Sequence, residues 1–434
     1  MKKLTVSAIV SAPLTQVWEC WTAPEHIIKW NFASDDWECP WAENDLRTGG
    51  RFVSRMSAKV GPEGFDLKGS YTIVELLSTI AYVLEDGREV KITFVEDEGG
   101  VTVTETFEME DKNSEDKQRA GWQAILNNFK QYTEIFTMKQ THPIVPYLWF
   151  DTEAKAAAEF YVSIFPNSKL ISSNTLSDTP SGTVEIVTFE LNSQRFDAIS
   201  AGPYFTFTSA VSFFTTFDNE DEITEVWNTL VEGGEVLMPF AEYSWAAKYG
   251  WCKDKYGLSW QLSLSEENKE KQKITPFLMF TGENAGKAEE AVAFYTGLFK
   301  DSSTDLITKY VPGEGDVEGY VKQARFTLAG GAFIAMDSSA PHGFTFSEAT
   351  SFMVKCDTQE ELDEIWSKLS AVPEAEQCGW CKDKYGLSWQ IIPSIMDTMM
   401  SSGDKEAMGR VTQVFLKMKK FDIKKLKEAY NQTN

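Results

Sequence analysis

The 434-residue chain has few histidines, few cysteines and little positive charge. It contains three histidines and six cysteines, and its 65 Asp and Glu residues outnumber 41 Lys and Arg, for a formal net charge of −24. Such an acidic body repels phosphate backbones and anionic lipid, so nucleic-acid and membrane partners are disfavoured. No apolar run approaches the length of a membrane span, and the N-terminal stretch is too short and too rich in Ser and Thr for a signal peptide. With scattered cysteines that form no disulfide framework, the composition predicts a cytoplasmic protein.

A twelve-residue segment occurs twice in the chain. Gly250–Gln261 and Gly379–Gln390 are identical, which indicates an internal duplication. In each copy a polar Asp-Lys-Tyr-Gly turn separates two apolar stretches, and the stretch after the turn alternates with the period of a strand. The segment therefore predicts a β-hairpin that closes each of two repeated domains.

Cys378 and Cys381 have the spacing of a redox dithiol or of half a zinc site. The pair precedes a predicted turn instead of a helix, and the other repeat has Tyr249 in place of Cys378. No second cysteine pair or neighbouring histidine completes a metal site. These features favour a structural role for the pair.

The first 137 residues have the pattern of a helix-grip domain. Residues 4–10 predict a strand, and two short helices follow Pro13 and Pro24. Five strands are predicted between Gly50 and Met109, and a long amphipathic helix ends near Phe136. The prediction is an antiparallel sheet held by one long C-terminal helix.

Several short motifs in this region carry a family resemblance. They are Ser11-Ala12-Pro13 with Val17-Trp18, Thr22-Ala23-Pro24-Glu25 with Trp30, Leu46–Phe52, and Gly121-Trp122 with Leu126. Residues 1–137 resemble the START-related superfamily, in the branch of homologues of the heat-shock-chaperone ATPase activator. The resemblance implies an apolar cavity between the sheet and the long helix, and hence a small ligand. The candidates for its lining are Trp30, Trp41, Phe52, Tyr71, Phe107 and Trp122. For each of them the alternative is an ordinary packed core.

Residues 143–264 and 273–400 each predict two modules with the order βαβββ. One helix of the second repeat is predicted to begin after Thr358, because Glu361 follows at the spacing of a capping box. Residues 401–434 predict a helical tail with no counterpart in the first repeat. The sequence thus predicts an α+β protein, in which an N-terminal helix-grip domain precedes two tandem domains of paired βαβββ modules.

The repeats also carry a family resemblance. The motifs are Pro146–Phe150, Phe160-Tyr161, Ser212–Phe214 and the hairpin in the first repeat, and Pro276–Phe280, Phe294-Tyr295, Ser351–Met353 and the hairpin in the second. They resemble the vicinal oxygen chelate superfamily of glyoxalase and bleomycin-resistance proteins, in the branch named 3-demethylubiquinone-9 3-methyltransferase-like. The methyltransferase part of that name finds no support, because no glycine-rich nucleotide loop follows a strand. The resemblance implies that the two tandem domains pair as an intramolecular pseudo-dimer.

Enzymes of that superfamily hold a divalent metal with His or Glu at four inward strand positions. The matching positions here are Pro146, Ile186, Ser212 and Gln261 in the first repeat, and Pro276, Gln323, Ser351 and Gln390 in the second. Pro and Ile cannot ligate a metal, and Ser and neutral Gln are weak ligands. We therefore expect neither a metal nor another cofactor.

We call the surface around the four inward strand positions of each repeat a cup. The remaining polar and aromatic residues of the two expected cups are candidates for ligand contacts. They are Ser212, Trp260, Gln261, Ser351, Trp389 and Gln390. The alternative is that the tryptophans pack in the core and the glutamines satisfy local backbone groups. Catalytic residues stay unknown, because no Ser-His-Asp or Cys-His set can be placed.

Two classes of function remain open from the sequence. The first is a metal-free protein that binds an apolar or aromatic small molecule in the helix-grip cavity or the cups. The second is an enzyme of the glyoxalase superfamily, a lyase or isomerase with a divergent or absent metal site. A chaperone-cofactor role rests on the name of the first resemblance alone.

Overall fold

The computed structural model describes residues 2–34, 36–97, 100–139, 144–179, 182–192, 194–265, 274–401 and 404–432. The chain divides into two compact units. Unit 1 consists of residues 1–140, 394–410 and 427–434, and unit 2 of residues 141–393 and 411–426. Helices and strands occur in both, which confirms the α+β class. Among the described residues no helix is long and apolar enough to cross a membrane.

Unit 1 is built on one antiparallel sheet. Its strands are β1 (Lys3–Val10), β2 (Trp37–Glu38), β3 (Ala42–Asn44), β4 (Arg51–Ala58), β5 (Gly64–Glu75), β6 (Thr79–Leu84), β7 (Glu89–Asp97) and β8 (Gly100–Glu108). They pair in the order β1-β8-β7-β6-β5-β4-β2, with β3 also paired to β4. Helices α1 (Leu14–Thr22) and α2 (Pro24–Trp30) follow β1, and the long helix α3 (Glu115–Lys139) follows β8. The predicted helix-grip arrangement is confirmed.

Aromatic rings join the helices of unit 1 to its sheet. Trp21 of α1 contacts Trp30 of α2, Phe94 of β7 and Phe129 of α3, with ring centroids 5.1, 5.7 and 4.7 Å apart. Pro24 stands at the start of α2, where its missing N–H costs nothing and its fixed φ suits the first helical turn. Because these large rings bury much apolar area, they hold α1, α2 and α3 together and against the sheet.

The described residues of unit 2 form two mixed sheets, which are covered by the helices of the two repeats. The strands of the first repeat are β9 (Val145–Phe150), β10 (Lys169–Thr179), β11 (Gly182–Leu191), β12 (Gln194–Ser200), β13 (Val211–Phe217), β14 (Glu235–Tyr243), β15 (Ala246–Lys253) and β16 (Ser259–Leu264). Those of the second repeat are β17 (Ile274–Phe280), β18 (Ser303–Lys309), β19 (Val321–Leu328), β20 (Gly331–Asp337), β21 (Thr350–Cys356), β22 (Trp380–Lys382) and β23 (Ser388–Pro393). The helices are α4 (Ala154–Ile164), α5 (Glu220–Val231), α6 (Ala288–Leu298) and α7 (Gln359–Leu369). After β23 come α8 (Ile395–Ser401), α9 (Lys405–Phe415) and α10 (Ile423–Asn431).

Each sheet of unit 2 takes strands from both repeats. One sheet has the order β10-β11-β12-β9-β21-β23-β22, and the other has the order β14-β15-β16-β13-β17-β20-β19-β18. At the junctions the strands are antiparallel, with Tyr147 opposite Ser351 and Ser212 opposite Phe277. The first module of each repeat therefore shares a sheet with the second module of the other repeat.

The duplicated segment forms the predicted hairpin in both copies. Strands β15 and β16 are antiparallel with Trp251 opposite Gln261, and β22 and β23 are antiparallel with Trp380 opposite Gln390. In each turn a buried aspartate carboxylate accepts hydrogen bonds from two backbone N–H groups and one indole N–H. The donors are Tyr256, Leu258 and Trp260 for Asp254, and Tyr385, Leu387 and Trp389 for Asp383. Hydrogen bonds to one aspartate side chain thus hold both the turn and the strand that follows it.

Candidate functional site

A cavity of about 880 Å³ lies in unit 1, between the sheet and helices α2 and α3. Most of its wall is apolar and aromatic. The lining includes Trp21, Ile27, Trp30, Phe52, Met56, Tyr71, Tyr82, Leu84, Trp122 and Ile125. The volume falls in the range of small-molecule sites, roughly 300–1,000 Å³.

Four of the six residues proposed from the sequence for this cavity lie on its wall. They are Trp30, Phe52, Tyr71 and Trp122. The polar ends of two of them are occupied within the protein, since the Trp30 indole donates to the Cys20 carbonyl and the Tyr71 hydroxyl donates to Asn44. Their rings are therefore held in fixed positions. That they contact a ligand remains a prediction.

The other two residues lie elsewhere. Phe107 is fully buried and stacks behind Trp122, with ring centroids 4.1 Å apart and planes 9° apart. It supports the wall without forming it. Trp41 is 43% exposed and lies outside the cavity wall. The prediction that these two side chains line the cavity is corrected, because the resemblance indicated which elements face the cavity but not which way each side chain points.

One ionisable side chain on the inner face of β8 was missed from the sequence. Glu105 lies in the cavity wall and is 4% exposed. Its Oε2 atom is buried without a hydrogen-bond partner. Burial raises the pKa of this carboxyl to about 8. The sequence pattern could have identified it, because Glu105 lies two residues from both Val103 and Phe107 and so shares their inward face of the strand.

The two polar pairs expected in the cups of unit 2 are each joined by a hydrogen bond. The Gln261 amide donates to Ser212 Oγ at 2.7 Å, and its carbonyl accepts from the Tyr249 hydroxyl at 2.8 Å. In the second repeat the Gln390 amide donates to Ser351 Oγ at 3.0 Å. These groups satisfy each other, in keeping with the alternative that the glutamines have a structural role.

Each cup face is completed by aromatic residues from the other repeat. Ser351 lies opposite Tyr147 of the first repeat, and Tyr147 contacts Trp380 with ring centroids 5.7 Å apart. Beside Ser212 and Gln261 stands a buried apolar cluster, which consists of Tyr249, Trp251, Phe277, Met279 and Ile334. The expectation that each tandem domain carries its own cup is corrected, because the exchange of modules between the sheets mixes the two repeats.

Trp260 and Trp389 do not share a face with the glutamines that follow them. Both are fully buried, and the Trp260 ring packs on Tyr161 and Phe165, beside helix α4. Trp389 packs on Tyr295 in the matching way. Successive residues of a strand point to opposite faces of the sheet. The prediction that both tryptophans line a cup is corrected to a role in the helix-covered core.

Residues 142–263 and 272–392 both match the family model described as 3-demethylubiquinone-9 3-methyltransferase, and together the matches take up more than half of the chain. The chain belongs to the 3-demethylubiquinone-9 3-methyltransferase family. Residues 11–134 match the model described as Activator of Hsp90 ATPase homolog 1-like protein. Both resemblances inferred from the sequence are confirmed.

Solved structures are similar to parts of the chain. The AHSA1-like protein from Aeromonas hydrophila is 40% identical over 32% of this chain and 98% of its own, with a TM-score of 0.31. Chr148 from Cytophaga hutchinsonii is 42% identical over 32% and 97%, with a TM-score of 0.29. A putative 3-demethylubiquinone-9 3-methyltransferase, PhnB protein, from Bacillus cereus is 37% identical over 28% and 98%, with a TM-score of 0.27. No curated protein gives a significant match.

In this member of the 3-demethylubiquinone-9 3-methyltransferase family the cup residues do not fit a divalent metal. Ser212, Gln261, Ser351 and Gln390 offer neutral hydroxyl and amide groups that are already hydrogen-bonded to each other. Pro146 and Pro276 lie opposite the core residues Phe352 and Phe213, and so face the helices. Within the described part of the chain, no three His, Cys, Asp or Glu side chains cluster as a metal site.

The Cys-x-x-Cys pair of this family member is held by its surroundings in unit 2. The backbone N–H of Cys378 donates to the Met418 carbonyl at 2.8 Å, and Cys381 is buried. Burial raises the pKa of both thiols, that of Cys381 to about 12. A thiol with a raised pKa is a poor nucleophile and a poor metal ligand at neutral pH, so the contacts favour the structural role expected from the sequence.

Proposed function

We propose that the protein is a metal-free small-molecule-binding protein and that its principal site is the cavity of unit 1. The observation that carries the proposal is the cavity of about 880 Å³ with an aromatic wall. At about 25 cal/mol per Å² of apolar area, burying a ring-sized ligand there contributes several kcal/mol before the costs of association.

The fixed rings of the wall support this proposal. Trp30 and Tyr71 are anchored by hydrogen bonds to Cys20 and Asn44, and Trp122 is stacked on Phe107. A wall that is already ordered loses little side-chain freedom when a ligand enters, and so more of the burial energy appears as affinity. The cups of unit 2 are weaker candidates, because their serines and glutamines pair with each other.

Filling the cavity is expected to abolish binding of ring-sized compounds. Ser54 is buried on β4 and lies in the cavity wall, so Ser54→Phe places a ring in the space that a ligand would take. A panel of aromatic compounds and fatty acids, titrated into the full chain and followed by Trp fluorescence and calorimetry, measures the effect. We expect a loss of affinity of at least tenfold.

Ser70→Phe is the matched control, since Ser70 is exposed on the neighbouring strand β5 and lies outside the cavity wall. It should bind like the unchanged protein. The proposal fails if no compound binds more tightly than about millimolar, or if Ser54→Phe binds as well as Ser70→Phe.

We also propose that the two tandem domains act as an intramolecular pseudo-dimer. The proposal is supported by the antiparallel junctions β9–β21 and β13–β17, because cutting between the repeats exposes an edge strand in each sheet of both halves. Residues 141–265 and 266–432, produced separately, are expected to dimerise or aggregate alone and to form a 1:1 complex when produced together. Size-exclusion chromatography with light scattering measures this. The proposal would be refuted if both halves are soluble and monomeric and do not associate.

A further inference from the structure

Glu105 is an ionisable residue on an otherwise apolar strand face. On β8 its inward neighbours Val101, Val103 and Phe107 are fully buried, and Glu105 itself is 4% exposed. A carboxyl group taken out of water without a hydrogen-bond partner costs free energy, and native proteins rarely keep such a group. Its Oε2 atom nevertheless has no partner. Glu105 is therefore placed to form a polar contact with a group from outside the chain.

The neighbouring polar groups do not supply that contact. Tyr71 donates its hydroxyl hydrogen to Asn44 at 2.7 Å. Arg88 pairs with Asp86, with Nε 2.9 Å from the carboxylate. The remaining charged residues of the wall come from the segment between β8 and α3 and from the start of α3. They are Glu110, Asp111, Lys112 and Lys117.

No charge from these elements offsets the burial of Glu105. Burial alone raises the pKa of its carboxyl to about 8, so most of the group is protonated and neutral at pH 7. Tyr82, which also lies in the wall, has its own pKa raised by burial and then by the nearby Glu105 carboxyl. The Glu105 carboxyl inside the cavity is therefore not paired with a cation. It lies near the Tyr82 phenol, which stays neutral at this pH.

The aromatic rings around the carboxyl suit a cationic group. Seven rings line the cavity, from Trp21, Trp30, Phe52, Phe65, Tyr71, Tyr82 and Trp122. Ring faces attract ammonium groups, most strongly when water is excluded. A charge-assisted hydrogen bond from an ammonium group to a carboxylate is roughly twice as strong as one between neutral partners. Both effects favour a protonated amine over a neutral alcohol of the same shape.

We propose that the cavity of unit 1 takes a ring-sized organic amine, whose ammonium group pairs with the Glu105 carboxylate while its apolar part packs on the aromatic wall. This inference rests on the proposed function of the cavity and narrows the class of ligand. No covalent bond forms. As the ammonium group enters, Glu105 ionises and its proton passes to the solvent, so binding at neutral pH releases most of one proton.

The test compares 2-phenylethylamine with 2-phenylethanol, which has the same shape and a neutral hydroxyl group. Both are titrated into the full chain by calorimetry at pH 7, in two buffers of different ionisation enthalpy. The amine is expected to bind at least tenfold more tightly than the alcohol and to release most of one proton. In Glu105→Gln the preference is expected to disappear, while the affinity for the alcohol stays unchanged.

Glu38→Gln is the matched control, since it makes the same change at an exposed position of unit 1 outside the cavity wall and should retain the preference. Equal affinity for amine and alcohol in the unchanged protein overturns the inference and leaves the cavity a binding site. A preference that survives in Glu105→Gln overturns it in the same way. The proton count on the unchanged protein is decisive without any variant, because amine binding with no proton release also overturns it. If neither compound nor any other ring-sized compound binds, both the inference and the proposed function fail.

Discussion

The free energy of unfolding of unit 1 is expected to fall as the pH rises from about 4.5 to about 8, and Glu105→Gln should abolish this fall. In the unfolded chain the Glu105 carboxyl has its ordinary pKa of 4.5, whereas in the folded protein burial raises it to about 8. Between these values the folded state binds one proton more than the unfolded state, so raising the pH favours unfolding. The full shift corresponds to at most about 5 kcal/mol.

Scanning calorimetry of the full chain at pH 5 and pH 8 measures this dependence. The transition that responds to Glu105→Gln is the unfolding of unit 1, and at pH 8 the variant should melt at a higher temperature than the unchanged protein. Below pH 4.5 the two should converge. Glu38→Gln removes an exposed carboxylate from β2 of the same unit and should leave the pH profile unchanged. Parallel profiles for the unchanged protein and Glu105→Gln would contradict the prediction.

Asp383→Ala is expected to destabilise unit 2 by roughly 4 kcal/mol or more. The carboxylate accepts hydrogen bonds from the backbone N–H groups of Tyr385 and Leu387, at 2.8 and 3.0 Å. It also accepts from the Tyr295 hydroxyl at 2.6 Å and the Trp389 indole at 2.9 Å. Each buried donor left without a partner costs about 1–3 kcal/mol, and four donors together approach the whole stability of a typical domain.

Denaturant unfolding and the yield of soluble protein measure this loss. Asp254→Ala in the first repeat is expected to have a similar effect, because Asp254 binds the matching turn and indole donors. Asp383→Asn keeps one acceptor oxygen and should fall between Asp383→Ala and the unchanged protein. Asp218→Ala changes an exposed aspartate of the same unit and should cost less than about 0.5 kcal/mol. An Asp383→Ala protein within about 1 kcal/mol of the unchanged one would show that the turn forms without its aspartate.

Asp383 and Glu105 show how much of the structure could be predicted from the sequence. The hairpin around Asp383 was predictable because a polar turn and a period-two strand are local features, and the duplication repeats them unchanged. The capping box of α7 was predictable for the same reason, and Thr358 Oγ1 accepts the Glu361 N–H at 3.2 Å. For Glu105 the alternation of β8 indicated an inward position. That its carboxyl has no partner depends on side chains from β5, β6 and α3, which no local pattern brings together.

The sequence by itself determined the elements of the protein, the duplication and both family resemblances, since these depend on composition, periodicity and short motifs. It also contained the information that separates Trp260 from Gln261, because neighbours on a strand face opposite ways. Only the tertiary structure decided which strands share a sheet. Ser212 lies beside Phe277 and Ser351 beside Tyr147 because the modules of the two repeats exchange places. Pairing between strands far apart in the chain depends on the burial of whole sheet faces. Period-two alternation is satisfied equally well whether a module pairs with the other module of its own repeat or with a module of the other repeat.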